Sequence, residues 1–111
     1  MSEFSELARR VDRLGSRAAR APKGGQLLSE IEDVLAEGYM QALTGEARSR
    51  RLGGRIERLV DSLDEAGAAV EIRRITLQRR SLDERVGELR AQLSVLRQHF
   101  IRLGGGQTAR R

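Results

Sequence analysis

The sequence predicts an all-α protein: a long antiparallel helical hairpin of coiled-coil character, preceded by a short helix and completed as a bundle by dimerisation. Three observations carry this. Apolar and small residues recur in steps of three and four through Leu28, Ile31, Leu35, Gly38, Ala42, Gly45, Ser49, Leu52, Ile56, Leu59, Leu63, Ala66 and Val70. A second run, out of phase with the first, passes through Ile72, Ile75, Arg79, Leu82, Val86, Leu89, Leu93, Leu96, Phe100 and Leu103. Such steps place each set on one stripe of a helix, near the ~3.5-residue period of a coiled-coil seam. The change of phase falls at Asp64-Glu65-Ala66-Gly67, where the chain is expected to turn back.

The organisation that follows has an N-terminal amphipathic helix and linker over 1–25, a hairpin over 26–103 with its turn near 64–68, and a disordered basic tail over 104–111. The first helix spans 3–21, with Ser2 or Ser5 as its cap and Glu3 and Glu6 near its positive N-terminus. Its own seam is Phe4, Leu7, Val11, Leu14, Ala18 and Ala21. Pro22 ends it, lacking an amide proton and disfavouring helix in the residue before it, and Gly24-Gly25 follows.

The second helix is read from Gln26 to Glu65. Ser29, Glu30, Glu32, Asp33 and Glu37 load its first turns, which suits the helix dipole. Its interior glycines, Gly38, Gly45, Gly53 and Gly54, each cost roughly 1 kcal/mol relative to alanine. The seam keeps register from Leu52 to Ile56 across Gly53-Gly54, so one continuous helix is expected. The third helix runs from Ala68 to Leu103 and is stopped by Gly104-Gly105-Gly106.

A turn centred on Ala66-Gly67 pairs Leu52 with Leu82, Ser49 with Val86, Gly45 with Leu89, Ala42 with Leu93, Gly38 with Leu96 and Leu35 with Phe100. Small residues then face large ones, which lets two helices approach closely and accounts for glycines that are otherwise costly. Leu27, Val34, Leu43, Val60, Val70, Leu77, Val95 and Ile101 lie off the main stripe. The first helix is expected to cover part of this second face near the open end and is too short to reach the tip. Val60, Val70 and Leu77 are left over as the expected partner or dimer contact.

Composition narrows the function. The chain of 111 residues has 39% apolar and 3% aromatic residues, so Leu, Ile, Val and Ala must supply the core of a single small domain. It has no cysteine, which removes disulfides, thiolate chemistry and the commonest zinc ligands. No apolar run approaches about 18 residues and the N-terminus lacks the apolar stretch of a secretory signal, so a cytoplasmic, non-spanning protein is expected. His99 is the only histidine, without a thiol to pair with, and is read as a surface residue beside the seam. Asp33 and Glu37 lie one turn apart, yet no Glu-x-x-His spacing completes a bundle metal site. There is no GxxxxGK[ST] loop and no GxGxxG after a strand. No enzyme, metal or cofactor is expected.

Charge leaves two readings. The net charge is +5, and twenty of the 21 basic residues are Arg, a bias read first as a coding habit of the genome. The arginines nonetheless cluster: Arg48, Arg50, Arg51, Arg55 and Arg58 on the second helix, and Arg73, Arg74, Arg79, Arg80 and Arg85 on the third. Folding the hairpin is expected to bring them side by side as a phosphate-binding band, with Arg55 opposite Gln78–Arg79. Arg79 takes a seam position and is expected to snorkel or to pair with Glu57. The first helix, with Arg9, Arg10, Arg13, Arg17 and Arg20 around its apolar stripe, could lie on an anionic membrane, but packing on the hairpin is the expected fate. The expected function is therefore non-enzymatic: an interaction, adaptor or assembly protein working through helix–helix contacts with a second copy or a helical partner. The alternative is sequence-non-specific nucleic-acid binding through the arginine band, which lacks the aromatic interleaving of single-strand binders.

Overall fold

A computed structural model describes residues 3–20 and 25–105. They form three α-helices: α1 (Glu3–Arg20), α2 (Gly25–Val60) and α3 (Ala68–Arg102). The expected Pro22 linker, the Ser2 cap and the tail beyond 105 lie outside the described residues. The fold is the all-α hairpin that the two seams predict, with extents of 62 × 30 × 15 Å. Helices α2 and α3 pack along most of their length, and α1 packs mainly on α3.

Helix α2 continues through Gly38, Gly45 and Gly53-Gly54 without a break. It ends at Val60, five residues before the expected Glu65, where Asp61, Ser62 and Asp64, all poor helix formers, lead into Gly67. The last turn tightens, with Ser62 N–H donating to the Leu59 carbonyl at 3.0 Å, and Glu65 N–H donates to the Ser62 carbonyl at 2.9 Å. Gly67 then enters α3 in the left-handed region, φ 84°, which favours glycine.

The earlier turn shifts the pairing by nearly one helical turn from the expected register. Gly38 packs on Leu93 rather than Leu96, and Gly45 packs on Val86 rather than Leu89. The principle of small against large survives the shift. At the far end Gly104 takes φ 97°, Gly104 N–H donates to the Ile101 carbonyl at 3.0 Å and Gly105 N–H to the Phe100 carbonyl at 2.8 Å. This is a Schellman stop, and the Phe100 ring folds over Gly105.

Helix α1 runs antiparallel to α2 and parallel to α3. Arg10 reaches Glu37 and Arg17 reaches Glu30, while Gln92 donates to Asp12 and Arg102 Nη2 donates to the Ala18 carbonyl at 2.8 Å. That last bond satisfies one of the carbonyls that the end of α1 leaves open. The stripe Leu7, Val11, Leu14 and Ala18 is buried with Leu27, Ile31, Val34, Leu82, Val86, Leu89, Leu93 and Leu96 in one core. The apolar face of α1 is thus spent on the hairpin. The core sits in the half where three helices meet, and each fully buried Leu or Ile there contributes roughly 1.5–3 kcal/mol. Beyond Phe4 the described residues form two layers: Ala68 and Ile75 are buried, while Leu52, Ile56, Leu59 and Ile72 are half-buried.

Candidate interaction surface

The groove between α2 and α3 that receives α1 does not end where α1 ends. The Phe4 ring lies over Gly45, where an added Cβ would come 3.1 Å from Phe4 Cζ, and beyond it no described residue covers the groove. Its walls are Arg48 and Leu52 from α2 and Leu77, Gln78, Ser81, Leu82 and Arg85 from α3. Leu82 is buried and Leu52 half-buried, so the floor is apolar. Leu77, 56% exposed, forms part of its rim.

Arg48 and Arg85 flank this floor from opposite helices. Arg85 Nε donates to the Ser81 carbonyl at 3.4 Å, and among the described residues neither arginine has a carboxylate partner. Further toward the tip a three-residue strap links the helices: Arg55 Nη2 lies 3.0 Å from Glu71 Oε2, and Arg74 donates to both Glu71 oxygens at 2.7 and 2.8 Å. The Arg74 hydrogen bonds, with Arg55 beside them, hold the Glu71 carboxyl below the usual carboxylate range.

Arg55 therefore meets Glu71 and not Gln78–Arg79, a consequence of the shifted register. Arg79 pairs with Ser49 instead of Glu57: its Nε donates to Ser49 Oγ at 3.1 Å. The guanidinium lies in the notch left by Gly53, where a Cβ would stand 2.8 Å from Nη1 and 3.0 Å from Cζ. Ser49, 6% exposed, gains the partner a buried hydroxyl needs, and Gly53 gains a reason to lack a side chain. Two residues from Arg48, and so on the other flank of the seam, Glu46 accepts two hydrogen bonds from Arg90 at 2.6 and 2.8 Å. They hold its carboxyl below the usual range.

The expected site residues are distributed as follows. Val60, Val70 and Leu77 are 48%, 74% and 56% exposed and strung along the distal half, and of the three Leu77 lines the groove. The arginine band is divided. At 100° per residue, Arg51 and Arg58 lie on the face of α2 turned from its seam, and Arg73 and Arg80 on the corresponding face of α3, so the pairs point away from each other. Arg55 and Arg74 are engaged with Glu71, Arg79 with Ser49, and Arg50 and Arg48 remain exposed on α2. The acidic patch at the open end is partly matched by α1 through Arg10–Glu37 and Arg17–Glu30.

Among the described residues no group of three or more His, Asp or Glu is placed to hold a metal, and no helix is long and apolar enough to cross a membrane. His99 Nδ1 approaches Arg102 Nη2 at 3.2 Å. Compared with known proteins, the chain matches no family model, no curated protein and no solved structure.

Proposed function

We propose that this is a non-enzymatic interaction protein, an adaptor or assembly factor expected in the cytoplasm, that takes a partner's helix along the uncovered half of the α2–α3 groove. The observation that carries the reading is the continuity of that groove. One stretch of it already holds a helix, α1, through an apolar stripe and flanking ion pairs, and the next stretch offers an apolar floor on which no described residue lies. Where α1 docks, the groove presents Glu30 and Glu37 to basic side chains; where it is bare, it presents Arg48 and Arg85. The partner that complements it is an acidic amphipathic helix, with steering and register set by charge and affinity by the apolar contact.

A labelled helical peptide with Leu at 3-4 spacing and Glu on its flanks tests this by fluorescence anisotropy. Binding that is lost in Leu77→Glu and weakened in Arg48→Gln/Arg85→Gln supports the reading. No binding, or equal binding of a charge-reversed peptide, ends it. The second reading, non-specific nucleic-acid binding, draws on the exposed Arg48, Arg50, Arg51, Arg58, Arg73 and Arg80. A random-sequence duplex that co-sediments with the protein and is released by salt would favour it.

A further inference from the structure

The outer face of α2, turned away from α3, is not part of the groove and has its own pattern. Met40 and Leu43, 66% and 57% exposed, stand one turn apart at its centre, flanked by Ala36 and Ala47. Within the helices they are the adjacent pair of large, exposed apolar side chains among the described residues; Val70, Leu77 and Val95 stand singly on α3. On the N-terminal side of the apolar centre this face carries Glu32 and Asp33, and on the C-terminal side Arg50 and Arg51. All four are exposed, and none of their side chains makes a hydrogen bond or an ion pair within 4 Å among the described residues, although Arg50 stands near Glu46 and Asp33 near the arginines of α1.

We infer that this face is the dimer interface, and that its occupant is α2 of a second copy, running antiparallel about a two-fold axis between Met40 and Leu43. The spacing is self-complementary. When Met40 of one chain is set against Leu43 of the other, Ala36 meets Ala47, Asp33 meets Arg50, and Ser29 meets Gly54 with no further adjustment. Each contact then occurs twice, as a two-fold interface requires. Large residues meet large at the centre, small residues meet small one turn out, and opposite charges meet beyond them. A parallel pairing would instead set acid on acid and base on base.

Gly54 adds an independent observation. A Cβ there would meet only Arg58 Nη1 at 3.7 Å, so no contact among the described residues requires glycine at a position where it weakens the helix by about 1 kcal/mol. In the antiparallel pair it lies opposite Ser29, about 19 Å along the helix from the two-fold axis, in the layer just outside the Asp33–Arg50 contact. The charged layers at 33 and 50 are about 26 Å apart along the axis, long enough to fix register. The surface is distinct from Val60, Val70 and Leu77, where the sequence placed the dimer contact.

Sedimentation velocity and cross-linking of the full chain test this. The wild type should sediment at twice its 12.4 kDa chain mass, and Met40→Glu/Leu43→Glu at the single mass, with circular dichroism unchanged because both positions are exposed. Asp33→Arg or Arg50→Asp alone should weaken the dimer about tenfold or more, and the two together should restore it. Because Arg50 also stands one turn after Glu46, a readout free of charge is needed, and the absence of cysteine from the chain supplies one. Ala36→Cys mixed with Ala47→Cys should form a disulfide-linked dimer, while either alone should not, since like positions lie about 16 Å apart in this register. A monomer at every concentration overturns the inference. So does a dimer that survives Met40→Glu/Leu43→Glu but is lost in Val60→Glu/Leu77→Glu. None of these outcomes depends on the distal groove, so the inference and the proposed partner binding fail separately.

Discussion

Gly45→Ala isolates the contact on which the three helices converge. Alanine is the better helix former, and in an exposed helix the change would stabilise by about 0.8–1.0 kcal/mol. At Gly45 the new Cβ would stand 2.6 Å from Val86 Cγ2, 3.1 Å from Phe4 Cζ and 3.7 Å from Leu82 Cδ1. Val86 is buried, and a β-branched side chain in a helix has one strongly preferred rotamer, so it cannot swing aside. Overpacking of this kind costs about 1–3 kcal/mol, which exceeds the gain. With a mid-range cost of about 2 kcal/mol set against that gain, the variant should be less stable by about 1 kcal/mol in urea unfolding followed by circular dichroism. Combining it with Val86→Ala sharpens the test. Val86→Ala carries its own cost of lost burial, but in that background Gly45→Ala should stabilise by about 1 kcal/mol, giving a coupling of about 2 kcal/mol. Additive effects, or a Gly45→Ala protein as stable as wild type, would refute the register assigned to the hairpin.

Three further outcomes follow from the same structure. Gly87 faces open space, so Gly87→Ala should stabilise by about 1 kcal/mol, seen as a raised urea midpoint with an unchanged slope. Gly53→Ala should be near neutral, because a helix gain of about 1 kcal/mol is offset by displacing the flexible Arg79 side chain from Ser49, a bond of similar worth. The carboxyls of Glu46 and Glu71 have folded-state pKa values below their ordinary 4.5, so their ion pairs contribute stability above that pH that is lost as pH falls through the depressed values. Glu46→Gln/Glu71→Gln should therefore be less stable than wild type at neutral pH, and the difference should shrink on acidification below pH 4.5.

The seams were legible because period is a property of the sequence itself. Ile31, Leu35, Gly38, Ala42, Gly45 and Ser49 on α2, and Ile75, Leu82, Val86, Leu89, Leu93 and Leu96 on α3, are buried where the 3-4 spacing places them. Register was not legible, because it depends on where α2 stops. Seam spacing runs on to Leu63 and Ala66, but the helix ends at Val60, where the low helix propensity of Asp61, Ser62 and Asp64 outweighs periodicity. The partners of individual charges moved with it: Arg79 to Ser49, and Arg55 to Glu71. The open groove required knowing how far along the hairpin Phe4 reaches, which a helix length alone bounds but does not fix. Leu43 stands out in the sequence as off the main stripe, but the face it shares with Met40 has a short apolar centre and charged flanks, so it resembles an ordinary solvent face until it is read backwards against itself.

The placement of α1 also has a consequence in time. Helices α2 and α3 close around a seven-residue turn, so their pairing can begin with neighbours in the chain and zip away from it. Helix α1 meets α3 through Asp12–Gln92 and Ala18–Arg102, contacts 80 and 84 residues apart in sequence. Those loops are closed at far lower cost once the hairpin exists, because the chain between them is then already folded. The expected order of assembly is thus hairpin first and α1 last. The same order run in reverse makes α1 the unit whose amides exchange earliest with solvent deuterium, ahead of the α2–α3 seam it covers.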